Sequence, residues 1–570
     1  MADVVEAAAG RRPGGFRLRR PALRRDTVLA GGLLLLVCGA SLYPLARLIA
    51  LAFSAGEDGT ILGTLSQAVA STAVQRALVN SLAVSAGATI VATLSGAVLA
   101  LALGYGRSRA RTAATFLLLS PLLIPSQIIA LAWIELSGLI WAGTGGSPLY
   151  SGWGIAALMG VEAMPLVFLA TRAAMTGLPA DLVEAARICG ARRRRIAGRI
   201  VLPLLAPAIL SGAVLAFAAS IGNFGIPALL GIPGRFPVLT TLAYQRLNGF
   251  GPAVLPQVAV IALILAVLVL GALAARALLL RHMAVPVEVR PGAATPMLTS
   301  APLPLALGVV WGGVTVVAIL PMLALVLSSL APALGVALSW TSATAANYEA
   351  VLSSAAVRRA ILNSAALSLF MALIAGLVAV PLAYLARLRR NPAARLTTLA
   401  AEVPFALPGT VVALAFILVF LPPLPIVGIS IYATPAILLF AYVVRFLPLV
   451  LGPISAALAR LDPALDDAGR VCGVRLGRRL RGIAAPLAAP AAGAGMVLAA
   501  LTAFNELTVS SLLWSAGTET VGVMVFAFQY EGNSGKASAL SVLSILVVAF
   551  LAALFDRLGR RLPGIVPWRD

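Results

Sequence analysis

The sequence predicts an all-α polytopic membrane protein with about twelve transmembrane helices in two parallel six-helix repeats. Three observations support this prediction: the composition, the alternation of apolar stretches with arginine clusters, and an internal duplication. The 570 residues are 61% hydrophobic and only 11% charged, and their mean hydropathy is +1.01. Soluble globular proteins are about 45–50% apolar and about 25% charged. The composition therefore favours a membrane protein over a soluble one.

The apolar stretches have the length that a membrane-spanning helix needs, which is about 20 residues. Six predicted spans in the first half lie near 28–53, 78–105, 112–137, 151–173, 204–230 and 254–280. Six more lie near 303–330, 361–386, 397–421, 430–457, 485–513 and 538–556. The first stretch follows an arginine-rich amino terminus, but it is too long for the core of a cleaved signal peptide. We interpret it as an uncleaved first span.

The net charge of +22 comes almost wholly from arginine. The arginines cluster in alternate loops between the spans, for example at 192–195 and 475–481. Positively charged loops lie on the cytoplasmic side of a membrane. We therefore expect a multi-pass membrane protein, in contact with lipid, with both termini in the cytoplasm. Few aromatic residues lie among the arginines, so we expect no nucleic-acid binding.

An internal repeat appears when the sequence is shifted by 283 residues. The shift superimposes Asn80 on Asn363, Ser81 on Ser364, Pro121 on Pro404, Pro125 on Pro408, Gly190 on Gly473, Pro203 on Pro486 and Pro207 on Pro490. Each repeat holds an even number of spans, so the repeats are parallel. The predicted division is a basic amino terminus at 1–25, a first unit at 26–281, a linker at 282–302, a second unit at 303–558 and a tail at 559–570.

A polar loop between the fourth and fifth spans of each half carries the most informative motif. The first copy contains Glu184, Ala185, Ala186, Gly190 and Pro203. The second copy contains Asp467, Ala468, Gly469, Gly473 and Pro486 at the same spacing. Small residues give a short helix one smooth face, and glycine permits a sharp turn after it. One copy could be an ordinary amphipathic loop helix, but two copies in register favour a shared function.

The pattern Glu-Ala-Ala, three residues, Gly and a distal Pro resembles the signature loop of type I ATP-binding-cassette (ABC) importer permeases. The resemblance covers most of both halves and implies that fold. It also implies that each loop forms a coupling helix seated in a groove of a separate ATPase subunit. Two such loops imply two ATPase subunits. The resemblance also implies a periplasmic or lipid-anchored substrate-binding protein and a place in the bacterial inner membrane. The second copy has Asp467 and Gly469 where the motif has Glu and Ala, so the two ATPase contacts could be unequal.

The chain lacks the residues for ATP hydrolysis by a phosphate loop. That loop needs Gly-x-x-x-x-Gly-Lys followed by Ser or Thr, but the only lysine, Lys536, lies between Gly535 and Ala537. We expect no enzyme activity and no cofactor on this chain, with ATP and Mg²⁺ bound by the partner subunits. His282 is the only histidine, so we expect no multi-histidine metal site.

Several polar residues fall in or near the predicted spans at repeat-related positions. Ionisable groups at membrane depth usually face the bundle interior, which predicts that Glu506, its repeat partner Asn223 and the neighbouring Asn505 line a substrate path. A structural hydrogen bond is the alternative role for Glu506. Glu162 and Arg445 are also repeat partners and could form an ion pair between the two halves, either as a structural contact or as a gate.

The run from Asn505 to Thr520 resembles the corresponding segment of ferric-iron permeases, and Gly222-Asn223-Phe224-Gly225 is similar to the same group. The resemblance implies ferric-iron import. Thiamine, 2-aminoethylphosphonate and polyamine permeases share parts of the pattern and remain alternatives. A secondary transporter also uses parallel repeats, and a membrane-embedded enzyme is a third class. The few charges within the spans and the paired loops favour the ABC permease.

Overall fold

The computed structural model describes residues 21–56, 59–60, 62–103, 110–141, 146–178, 180–249, 254–283, 303–332, 341–423 and 428–559. These residues are mostly helical, and they contain no strand. Ten of their helices are long and apolar enough to cross a membrane, and two bent helix pairs bring the total to twelve if each pair is one span. The predicted all-α polytopic fold is confirmed. Most of the predicted linker, the basic amino terminus and the tail lie outside the described residues.

The helices of the first unit are α1 Pro21–Ala52, α2 Gly63–Ala70, α3 Thr72–Leu103, α4 Ala110–Leu123, α5 Ser126–Ile140, α6 Gly152–Thr176, α7 Ala180–Ile188, α8 Arg193–Ile196, α9 Leu202–Ile221, α10 Leu239–Leu247 and α11 Val254–Met283. Those of the second are α12 Leu303–Val314, α13 Leu320–Ser329, α14 Ala346–Ser353, α15 Ala355–Arg387, α16 Pro392–Ala406, α17 Gly409–Phe420, α18 Pro435–Ala459, α19 Ala464–Val471, α20 Leu476–Arg479, α21 Ala485–Phe504, α22 Ser510–Leu513, α23 Val521–Tyr530 and α24 Ser534–Gly559.

Three helices form the packed centre of each unit. In the first unit α3, α6 and α9 pack against one another, and in the second α15, α18 and α21 do the same. Glycine allows the last two helices of each trio to approach closely. A Cβ atom on Gly212 would lie 2.8 Å from the Cα of Val167, and one on Gly495 would lie 2.9 Å from the Cα of Val450. Both the glycines and the valines are related by the 283-residue shift.

Prolines bend the third predicted span of each unit. The axes of α4 and α5 differ by 108°, and those of α16 and α17 differ by the same angle. Pro125 and Pro408 stand at the two breaks, immediately before α5 and α17. Proline has no N–H to donate and pushes the preceding residue toward an extended conformation. The predicted spans at 112–137 and 397–421 are therefore sharply bent helix pairs rather than straight helices.

The first span of each unit packs against the other unit. Helix α1 contacts α16 and α17, while α12 contacts α3 and α4, and α13 contacts α5. These contacts run in both directions, so the first span of each unit covers part of the other unit. The two repeats consequently form one interlocked bundle with a shared interior.

We expect Gly495→Ala to destabilise the protein, because the new methyl group would force α21 away from α18. Overpacking of this kind costs about 1–3 kcal/mol. The thermal unfolding midpoint of the detergent-solubilised protein would measure the loss. Gly493→Ala is the matched control, because a Cβ atom there meets nothing within 4 Å. Equal midpoints for the two variants would contradict the close-packing account.

Candidate functional site

The predicted loop helices are present as α7 and α19. Each ends at a glycine with a positive φ of 73°, Gly190 in the first loop and Gly473 in the second. The N–H of Ala191 donates to the Ala186 carbonyl at 3.0 Å, and that of Val474 donates to the Gly469 carbonyl at 2.9 Å. This is the hydrogen-bond pattern of a helix ended by a left-handed glycine. The backbone conformation therefore accounts for the glycine in both copies of the motif.

The two loop helices expose the same positions of the motif. Glu184, Ala185, Asp467 and Ala468 are exposed, whereas Ala186 and Gly469 are half-buried against the bundle. Each helix also exposes two apolar side chains. Their exposed fractions are 45% for Leu182 and 88% for Ile188 in α7, and 52% for Leu465 and 88% for Val471 in α19. These four residues are also related by the 283-residue shift, so the repeat preserves an exposed apolar surface.

The distal proline of each motif stands at the second residue of the next long helix. Pro203 lies in α9 after a π-helical turn at Ala197–Val201, and Pro486 lies in α21 after a π-helical turn at Leu480–Ala484. Proline removes one donor from the helical ladder, and a π-helical turn is one way for a helix to absorb that loss. The turns join each loop helix to a helix that crosses the bundle.

The far ends of α9 and α21 meet at a cavity of about 260 Å³ between the two units. The cavity contains all of the predicted path and ion-pair residues in its lining: Glu162, Asn223, Arg445, Asn505 and Glu506. Asn223 and Glu506 follow the helix ends rather than lying within helices, because α9 ends at Ile221 and α21 ends at Phe504. The predicted eleventh span at 485–513 is thus divided, and Glu506 lies between α21 and α22.

The ion pair expected between Glu162 and Arg445 is not formed, although both residues are within the described part of the chain. Glu162 accepts a hydrogen bond of 2.6 Å from the side-chain amide of Asn223. Arg445 donates to the Leu407 carbonyl at 3.1 Å and interacts electrostatically with Glu506. Glu162 thus bonds to Asn223 of its own unit, and Arg445 interacts with Glu506, the repeat partner of Asn223, in its own unit. Asn223 and Glu506 follow the ends of α9 and α21, which places each of them beside its partner in the same unit.

Glu506 and Asn505 have partners within the second unit as well. The Glu506 carboxylate accepts from the N–H of Val509 at 2.8 Å and from the N–H of Ser510 at 3.1 Å. It therefore satisfies the first donors of the short helix α22. The side-chain oxygen of Asn505 accepts from the Ser544 hydroxyl. Glu506 thus makes structural hydrogen bonds, the alternative role considered for it, and also lines the cavity.

Gln127 is a cavity residue that the sequence reasoning missed. Its side chain is only 1% exposed, and its amide donates to the Asn505 carbonyl at 2.9 Å. This bond joins the first unit to the second beside the cavity. A polar residue two positions after the repeated proline Pro125, within an apolar stretch, is the signal that could have identified it.

Comparisons with known proteins agree with this architecture. The family model described as "Binding-protein-dependent transport system inner membrane component" matches residues 68–285 and 373–563. A probable ABC transporter permease of Sinorhizobium fredii is 28% identical over 403 residues, which cover 68% of each chain. A probable molybdenum ABC transporter permease of Haloferax volcanii is 30% identical over 237 residues, which are 41% of this chain and 84% of that protein.

The molybdenum transport system permease ModB of Mycobacterium bovis is 32% identical over 157 residues, or 26% of this chain and 60% of ModB. The matches to the two molybdenum permeases are shorter than the match to the Sinorhizobium protein. The family model, by contrast, matches once in each half, as the internal duplication requires. The chain is therefore an internally duplicated member of the binding-protein-dependent ABC transporter permease family.

Proposed function

We propose that this permease carries its substrate through the cavity between the two units, driven by two ATPase subunits that dock on α7 and α19. A periplasmic or lipid-anchored binding protein would deliver the substrate to the opposite face. The loop helices lie on the arginine-rich, cytoplasmic side in this arrangement. The observation that carries the proposal is the exposed surface that both loop helices present in register.

The exposed surface has the chemistry of a docking site. Exposed apolar patches rimmed by polar residues mark interaction surfaces. Each loop helix has two exposed apolar residues beside exposed carboxylates, which are Asp181 and Glu184 in α7 and Asp467 in α19. The left-handed glycine ends each helix at the same point of the motif, so both loops present this surface in the same way. A lipid-facing role is disfavoured because the carboxylate would have to be buried in the bilayer.

A continuous path leads from each docking surface to the cavity. The helical stretches Ala197–Ile221 and Leu476–Phe504 begin shortly after the loop helices and end beside Asn223 and Glu506. A helix rises about 1.5 Å per residue, so each stretch is roughly 40 Å long. A displacement of the loop helix at one end would therefore move the cavity wall at the other.

We propose a cation as the substrate, with ferric iron as the first candidate. Two carboxylates, Glu162 and Glu506, line the cavity beside one guanidinium group, that of Arg445. A water molecule needs only about 10–15 Å³ of such volume, so 260 Å³ accommodates an ion with part of its water shell. The resemblance of the run from Asn505 to Thr520 to ferric-iron permeases supports the same candidate.

A molybdenum oxyanion is the second candidate. It is favoured by the names of the relatives from Haloferax volcanii and Mycobacterium bovis and by Arg445 in the cavity wall. An anion would pass two carboxylates, which repel it. For this reason we rank a cation ahead of the oxyanion.

Uptake assays distinguish the candidates. Cells with and without this chain would be compared for uptake of radiolabelled ferric iron, molybdate and thiamine. We expect loss of ferric-iron uptake alone when the chain is absent. Loss of molybdate uptake alone would select the second candidate, and loss of thiamine uptake alone would select a third substrate. Uptake that depends on the membrane potential and proton gradient rather than on ATP would contradict the ABC mechanism.

We expect Glu162→Gln to lower cation uptake by about tenfold, because the variant keeps an acceptor for Asn223 but removes the attraction of one negative charge from the cavity, which is on the order of 1 kcal/mol or more at short range. Initial uptake rates at equal expression would measure the effect. Glu135→Gln removes a carboxylate from α5 that does not line the cavity, and it serves as the matched control. A rise in uptake for Glu162→Gln alone would indicate an anionic substrate.

We expect Gly473→Ala to weaken association with the ATPase subunits, because left-handed backbone costs a non-glycine residue about 1–2 kcal/mol. Space is not the reason, since a Cβ atom on Gly473 meets nothing within 4 Å. Gly473→Asn is the matched variant, because asparagine tolerates this conformation better than alanine. Co-purification of the ATPase should fall for alanine and largely persist for asparagine. Equal co-purification of both would show that the turn is not needed for docking.

A further inference from the structure

The two loop helices are attached to the bundle by opposite kinds of chemistry. In the first unit Val183 and Ile196 are buried, and Leu101 packs against them. The 283-residue shift places Tyr384, Asp466 and Arg479 at the corresponding three positions of the second unit. An apolar cluster in one unit is therefore replaced by a polar one in the other.

The polar cluster is a connected network of buried groups. Arg479 and Asp466 have side-chain exposures of 1% and 3%, and their charged atoms approach to 2.8 Å. The Tyr384 hydroxyl donates to the same carboxylate at 2.6 Å. Arg389 adds a second cation 3.6 Å from Asp466. Asp466 belongs to α19 itself, so the network holds the loop helix directly.

The network also reaches the first unit through α1. The Arg389 guanidinium donates to Asp26 at 3.1 Å, and Arg479 lies 3.9 Å from the other oxygen of Asp26. Asp26 is the first residue of the part of α1 that is long and apolar enough to cross a membrane, Asp26–Ala52. Its repeat partner Val309 is an exposed apolar residue of α12. The first loop helix therefore has no corresponding charged connection at that position.

The departure from the loop motif at Gly469 has its reason in this network. A Cβ atom on Gly469 would lie 3.3 Å from Cδ and 3.5 Å from Cγ of Arg479. The absence of a side chain therefore leaves room for the stem of the arginine. In the first unit Ala186 occupies the equivalent place, opposite Ile196 rather than an arginine.

We propose that Asp466, Arg479, Tyr384, Arg389 and Asp26 are positioning residues that fix α19 to α15 and α1, so that ATP-driven movement enters the bundle mainly through the second loop helix. An apolar contact can slide with little loss of burial, because the hydrophobic effect has no direction. Separating buried charges leaves them uncompensated, which is far more costly. The network moves with α19 as one body, while the apolar contact of α7 yields.

The test uses the complete transporter, with ATPase subunits and binding protein, in proteoliposomes. The proposal rests on ATPase docking at the loop helices, so co-purification is measured first and separately. The variant is the triple change Tyr384→Leu, Asp466→Val and Arg479→Ile, which gives the second unit the residues of the first. It removes one negative and one positive charge and leaves Asp26 paired with Arg389. A buried ion pair replaced by apolar residues is often stable.

We expect the triple variant to co-purify with the ATPase and to hydrolyse ATP, while the substrate transported per ATP falls by about tenfold. If the network had only a structural role, the triple variant would keep the original ratio of substrate transported to ATP hydrolysed. A ratio within about twofold of the original protein, with normal co-purification, would overturn the proposal. Docking at the loop helices is tested separately by Gly473→Ala. If that variant loses co-purification, the docking assignment is supported, whatever the triple variant does.

Tyr384→Phe provides a second measurement that does not depend on the fold of the triple variant. It removes only the hydroxyl group that donates to Asp466. We expect a smaller fall in transport per ATP, about threefold, near the lower end for one lost hydrogen bond, because Asp466 keeps its contacts with Arg479 and Arg389. Leu101→Ala, at the repeat-related position of the first unit, is the matched control and should change the ratio less. An unchanged ratio for Tyr384→Phe would also overturn the proposal.

Discussion

The requirement that every backbone polar group inside a membrane has a hydrogen-bond partner governs the rest of this structure. The chain leaves the helical conformation in the interior of both units, after α9 and after α21. Side chains of the repeated Asn-Ser pair bond to backbone groups where the chain returns to a helix. Asn80 donates to the Pro237 carbonyl at 2.9 Å, and the N–H of Leu239 donates to Ser81 at 2.8 Å.

The second unit repeats this solution. Asn363 donates to the carbonyls of Gly517 and Glu519, and the N–H of Val521 donates to Ser364 at 2.9 Å. The pair thus fixes the start of the short helix α10 in one unit and α23 in the other. These hydrogen bonds fix the segments between α9 and α10 and between α21 and α23, so the side chains of those segments have defined positions. Those side chains, Asn223 and Glu506, are the ones that face the shared cavity.

The cavity residues consequently have two tasks. Glu506 accepts two backbone N–H groups of the broken segment while it contributes to the cavity wall. Removing its carboxylate would unsettle the local backbone as well as the electrostatics of the path. Glu162 has only one side-chain partner in the described structure, Asn223, which makes it the cleaner position for testing the charge of the cavity.

The sequence by itself determined the features that depend on local chemistry. Apolar length defined the spans, and glycine in register defined the ends of the loop helices, because glycine readily adopts the left-handed backbone that ends a helix. Only the tertiary structure decided which side chains meet. Asp26 and Arg389 are 363 residues apart, and Glu162 pairs with Asn223 rather than Arg445. Such contacts depend on the packing of distant helices, for which the sequence carries no local signal.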